Sequence, residues 1–123
     1  MLIQLTAVAA GAVLGAWLRW GLALMLNTAT FPFGTLCVNL LGGLLMGMVV
    51  AYFAALDPQD TSRLFVMTGF LGGFTTFSAF SAESLLMLQR GQYWLAGVHT
   101  LSHVFGALAM AALGFALVQG LRR

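Results

Sequence analysis

Polar side chains interrupt long apolar stretches of this 123-residue chain, and their spacing limits the chemistry open to them. The densest group is Gly69-Phe70-Leu71-Gly72-Gly73-Phe74-Thr75-Thr76-Phe77-Ser78-Ala79-Phe80-Ser81. A Gly-Gly pair followed by two β-branched threonines makes a poor helix interior. Two readings are open. A helix broken here frees backbone carbonyls, and those near Gly72 and Thr75 suit a hard cation, which takes oxygen ligands. A continuous helix instead lets Ser and Thr bond back to the carbonyl four residues earlier. Phe77 and Phe80 lie three apart on one helix face, and Glu83 and Ser84 continue the stripe. Aromatic rings offer a positive edge to an anion and a negative face to a cation. Packing or lipid contact is the plainer role for such a stripe.

Asn39 lies early in a second apolar run. Its amide has two donors, enough to bind an anion or to tie two helices together. His99, Ser102, His103 and Gly106 fall at i, i+3, i+4 and i+7, one polar face on a late apolar run. That face suits a polar track or proton relay, or helix–helix hydrogen bonding. Two histidines without a further ligand are a thin set for a metal. Arg19 and Glu83 are the charges set inside apolar runs, where a charge is expensive and marks a candidate site. An Arg at the mouth of a pore raises the local anion concentration by its field. No hydrolytic triad, P-loop or paired-carboxylate arrangement is present in the sequence, so no enzymatic activity is expected.

The elements that must position these residues follow from composition. Hydrophobic residues make up 61% and charged residues 7% of the chain, against about 25% charged in a soluble domain. That is too little polar surface for a water-soluble globule. It excludes a disordered chain, a nucleic-acid arm and a disulfide scaffold, since Cys37 is the one cysteine. The five arginines are scattered, so no nucleic-acid partner is expected. A helix needs roughly 20 apolar residues to cross a bilayer. The chain therefore predicts a single all-α integral membrane domain over 1–123 with four crossings, at about 2–26, 34–56, 64–88 and 94–118. Leu2 onward is expected to be the first crossing and not a cleavable leader, because no basic residue precedes Arg19.

An even number of crossings puts both termini on one side, with Arg63, Arg122 and Arg123. The other side holds Arg90 and Arg19. Three charges against two give little basis for one orientation, because the positive-inside rule needs an excess. Insertion in both orientations, and an antiparallel two-fold dimer, are therefore open to this chain. Small pairs at spacing four, Gly11/Gly15, Gly43/Gly47 and Gly69/Gly73, predict close helix packing.

Three stretches carry a resemblance. Gly11, Gly15-Ala16 and Arg19-Trp20, then Gly34-Thr35-Leu36, Val38-Asn39 and Gly42, then Gly69-Phe70, Gly72 to Phe80 and Glu83 resemble the bacterial Fluc (CrcB-type) fluoride channels. The resemblance runs over nearly the whole chain. It implies a passive, fluoride-selective channel of the bacterial cytoplasmic membrane that relieves fluoride toxicity. It implies an antiparallel dual-topology homodimer, with the third helix broken mid-membrane and two pores. It implies a structural Na+ at the dimer centre, held by backbone carbonyls that match Gly72 and Thr75. The pore residues it implies are Asn39, Phe77 and Phe80, with Thr76 and Ser78 hydroxyls, Glu83 as a pore-side carboxylate and Arg19 as a vestibule cation. Its polar track on the fourth crossing falls on His99 and His103. A small four-span proton-coupled multidrug exporter shares the size and dual topology, but that class relies on an acidic residue in the first crossing, and none is present here.

Overall fold

Four runs of this chain are apolar on nearly every side, and in lipid a helix satisfies such a backbone from within. The computed structural model describes residues 1–122, and its regular structure is helical, with no β-strand among the described residues. Helix α1 spans Leu2–Leu26 and α2 spans Phe33–Tyr52. A third run is assembled from four pieces: α3 (Thr61–Arg63), a π-helical stretch (Leu64–Leu71), α4 (Gly72–Phe74) and α5 (Phe77–Gln89). Helix α6 spans Tyr93–Leu121. Four helical runs are long and apolar enough to cross a membrane: α1, α2, Thr61–Gln89 and α6.

The boundaries differ from expectation where caps intervene. Helix α2 stops at Tyr52, four residues before the expected Leu56. Phe53 to Leu56 form turns closed by Phe53 N–H to Val49 O and Leu56 N–H to Phe53 O. The third run starts at Thr61, because the Asp60 carboxylate accepts from the N–H groups of Ser62 (2.9 Å) and Arg63 (3.1 Å). The Ser62 hydroxyl also donates to it, and these bonds hold Asp60 below the usual carboxylate range. Gly91 closes α5 with φ +71°, a conformation that favours glycine. Its N–H bonds Leu88 O, and the Gln92 N–H bonds Met87 O.

One end of the bundle gathers both termini. Gln4 donates to Gln59 O (3.0 Å), and Arg122 donates to Ala51 O (2.9 Å) and Tyr52 O (3.0 Å), the last carbonyls of α2. Arg63 bonds Leu56 O on the same loop. Arg123, counted with these arginines above, lies outside the described residues.

Small residues set the helix spacing. The α1 pair Gly11/Gly15 packs on Gly69/Gly73 of the third run. A Cβ at Gly11 would overlap Phe65 O and sit 2.7 Å from Phe70 N, while one at Gly73 would meet Ala12 O at 2.5 Å. Gly43 and Gly47 of α2 press against the Ala107 and Ala111 carbonyls of α6. The backbones therefore touch, as small-residue spacing in membrane helices allows.

Candidate functional site

The helical ladder of the third run pauses at its midpoint. Thr75 (φ −81°, ψ 157°) and Thr76 (φ −147°, ψ 119°) are extended between Phe74 and Phe77. The Thr75 hydroxyl bonds back to Leu71 O (2.8 Å), as does the Thr75 N–H (3.0 Å). Neither donor of Thr75 continues the chain past that point. The backbone N–H and C=O of Thr76 are taken up from outside. Asn39 Oδ1 accepts the Thr76 N–H (2.8 Å), and Asn39 Nδ2 donates to Thr76 O (2.9 Å). A carboxamide thus replaces both backbone partners that a helix would have given one residue. The Thr76 hydroxyl then caps α5 by accepting the Ala79 N–H (3.1 Å), with Ser78 Oγ at 3.3 Å.

Asn39, Thr75, Thr76, Phe77, Phe80 and His103 line an open groove of about 390 Å³. Phe77 and Phe80 meet edge to face, with centroids 5.3 Å apart. Phe80 is buried, whereas Phe77 is 78% exposed. Ser78 is also exposed. The His103 ring lies 4.8 Å from Phe80 and 4.5 Å from His99, so the sequence-predicted residues on α2, α5 and α6 do converge.

Behind the groove is a second polar layer. His99 is fully buried, with Ser84 Oγ at 2.9 Å from Nδ1. Its Nε2 lies 3.3 Å from Glu83 Oε2, yet the two are not aligned as a hydrogen bond. Glu83 Oε1 accepts from the Thr35 hydroxyl (2.6 Å). Sequence reasoning assigned no chemistry to Thr35. Its spacing of four before Asn39 puts both on one face of α2, and that was the available signal. Asn27 caps α2 through the Gly34 and Thr35 N–H groups (2.8 and 3.2 Å).

Two expectations change in this setting. Arg19, expected as a vestibule cation, gains a partner: its Nε donates to Gly73 O (3.0 Å), tying α1 to α4. The histidines also have a carboxylate beside them. Glu83, His99 and His103 each offer a ligand atom within 4.8 Å of the others. The thin ligand set read from sequence gains a third member, since Glu83 on α5 faces α6. Ser81 and Ser102 bond back to Phe77 O (2.8 Å) and Val98 O (2.6 Å) and do not join the site.

Residues 6–115 match the family described as CrcB-like protein, Camphor Resistance (CrcB). The chain belongs to the CrcB family. A protein of Aromatoleum aromaticum named fluoride-specific ion channel FluC is 56% identical over 114 residues, 89% of this chain and 86% of that one. Relatives of the same name from Nitrosospira multiformis and Bordetella bronchiseptica are 50% identical, each over 98% of this chain and 96% and 95% of their own lengths. Membership in this family and four crossing-length helices make this a multi-pass membrane protein.

Proposed function

We propose that this chain forms a passive, fluoride-selective channel that carries the ion out across the bacterial cytoplasmic membrane. The observation that carries the reading is the pause at Thr75–Thr76, held by Asn39 beside the Phe77–Phe80 pair. The names of relatives 50–56% identical support it. Irregular backbone halfway along a crossing survives in lipid only when protein, ions or water satisfy it. Fluoride is small and strongly hydrated, so its path must replace water with neutral donors such as hydroxyl, imidazole and ring edges. It must also avoid a bare cation, because conduction needs release as well as binding. The groove offers the Phe77 and Phe80 rings and His103, and Arg19, bonded to Gly73 O, is not among the residues that line it.

The open groove supports assembly as an antiparallel homodimer with two pores. Phe77, Ser78 and Gly72 are exposed on a single chain, beside the polar Thr75–Thr76 backbone. A second copy in opposite orientation buries them and encloses the groove. The Gly72 and Thr75 carbonyls fit a structural Na+ at the centre of that dimer. Gly72 is exposed, neither carbonyl takes a turn or cap hydrogen bond, and two copies present four such oxygens. The ion supplies positive charge to those carbonyl dipoles when bound.

The deciding experiment is efflux from liposomes loaded with KF. Reconstituted protein is expected to release fluoride on addition of valinomycin and to leave chloride inside. Chloride release at the fluoride rate, or no release, rejects the reading. Proton-driven uptake of a lipophilic cation would point to an exporter instead.

A further inference from the structure

Asn39 has no hydrogen left to offer an ion. Its orientation is set by the Thr76 backbone: the N–H donates to Oδ1 (2.8 Å), and the C=O accepts from Nδ2 (2.9 Å). The second amide hydrogen points at His103 Nδ1, 3.0 Å away. An amide nitrogen only donates, so His103 Nδ1 must present a lone pair. A neutral imidazole carries one N–H, and here that hydrogen belongs on Nε2. His103 is 4% exposed, and its Nε2 is buried without a hydrogen-bond partner. Unpartnered buried donors are rare and call for an explanation.

We propose that His103 is a neutral Nε2–H donor to the transported anion, and that Asn39 is the positioning residue that fixes this tautomer. The inference rests on the fluoride-channel reading for its ligand, a small hard anion, and on geometry alone for its tautomer. The His103 ring lines the groove 4.8 Å from Phe80, but its Nε2 is closed off from that space, so the anion reaches the N–H only by passing the ring into the bundle. Donation from a neutral ring gives affinity without a full charge that would trap the ion. The other polar groups facing His103 are His99 and Glu83, whose Oε1 accepts from Thr35 and whose buried Oε2 lies 3.3 Å from His99 Nε2 without a hydrogen bond. The same lock disfavours a transition metal at Glu83, His99 and His103. A metal needs the Nε2 lone pair, and the lock leaves a proton there.

The test is nitrogen NMR of the 15N-histidine channel in liposomes, with the His103 signals identified by their loss in His103→Gln. The expected wild-type pattern is a neutral ring protonated at Nε2, whose Nε2 resonance moves with NaF and not with NaCl. Asn39→Asp puts an acceptor where the donor stood, so the proton is expected to move to Nδ1. In efflux, His103→Asn keeps an acceptor near Asn39 but loses the Nε2 donor, with an expected fall of about 100-fold. His103→Gln restores an N–H near the Nε2 place and is expected to recover at least about tenfold of that loss. A wild-type ring protonated at Nδ1, an Nε2 signal indifferent to fluoride, zinc bound through His103, or equal efflux from the Asn and Gln variants overturns the proposal. Absence of efflux from wild type would reject the channel reading, while the NMR pattern still decides the tautomer.

Discussion

Replacing Phe80 with Ile is expected to slow fluoride efflux by about 100-fold while the protein stays folded, on the scale where 1.36 kcal/mol is a factor of ten. The ring is buried, meets Phe77 edge to face, and lies against both His103 and His99. Ile retains apolar bulk, so packing against the α6 face changes little. It removes the polarised edge that can stand in for water around an anion. Loss of one such partner in a dehydrated site costs about 1–3 kcal/mol. The upper part of that range corresponds to the stated fall. Efflux is read in KF-loaded liposomes, and size-exclusion in detergent checks folding. Wild-type efflux from a folded Phe80→Ile channel would remove Phe80 from the ion path.

The second large effect belongs to the helix contact and not to the groove. Gly15→Ala is expected to abolish most of the folded yield, whereas Gly21→Ala, two turns further along α1, is expected to be neutral or mildly stabilising. A Cβ at Gly15 overlaps Phe70 O and lies 2.7 Å from Phe74 N, both backbone atoms that have no rotamer to yield. A Cβ at Gly21 meets nothing within 4 Å. Overpacking of this kind costs about 1–3 kcal/mol and occasionally more, while Ala in place of Gly within a helix gains about 1 kcal/mol. The two substitutions therefore differ in sign. Thermal unfolding and monodispersity of the purified variants are the readout. Equal stability of both would mean that α1 and the third run are not in the contact described.

The four crossings were legible because their signal is local: length and apolarity alone mark each run. The glycine pairs were legible for the same reason, since their spacing states a close approach without naming the partner. Asn39 stood out as an amide in an apolar run, but its role did not. Which peptide it holds depends on how α2 meets the third run, and that pairing has no trace in local sequence. The π-helical pitch of Leu64–Leu71 is a similar case. An evenly apolar stretch fixes no register, so its turn width is decided against α1. Arg19 was read as a charge set inside an apolar run, and its head reaches Gly73 O. A long side chain reaches a distant carbonyl that sequence spacing cannot indicate. Glu83 was seen as a lone charge for the same reason, since Thr35 and His99 lie on other helices.

Arg122 carries a consequence for handling the chain. Its guanidinium closes two carbonyls at the end of α2 and lies over the Tyr52 ring, with 5.4 Å from its carbon to the ring centroid. Arg122, at the C-cap of α6, is thus a clasp on α2. Removing the Arg122 side chain would therefore loosen the end of a segment seventy positions upstream.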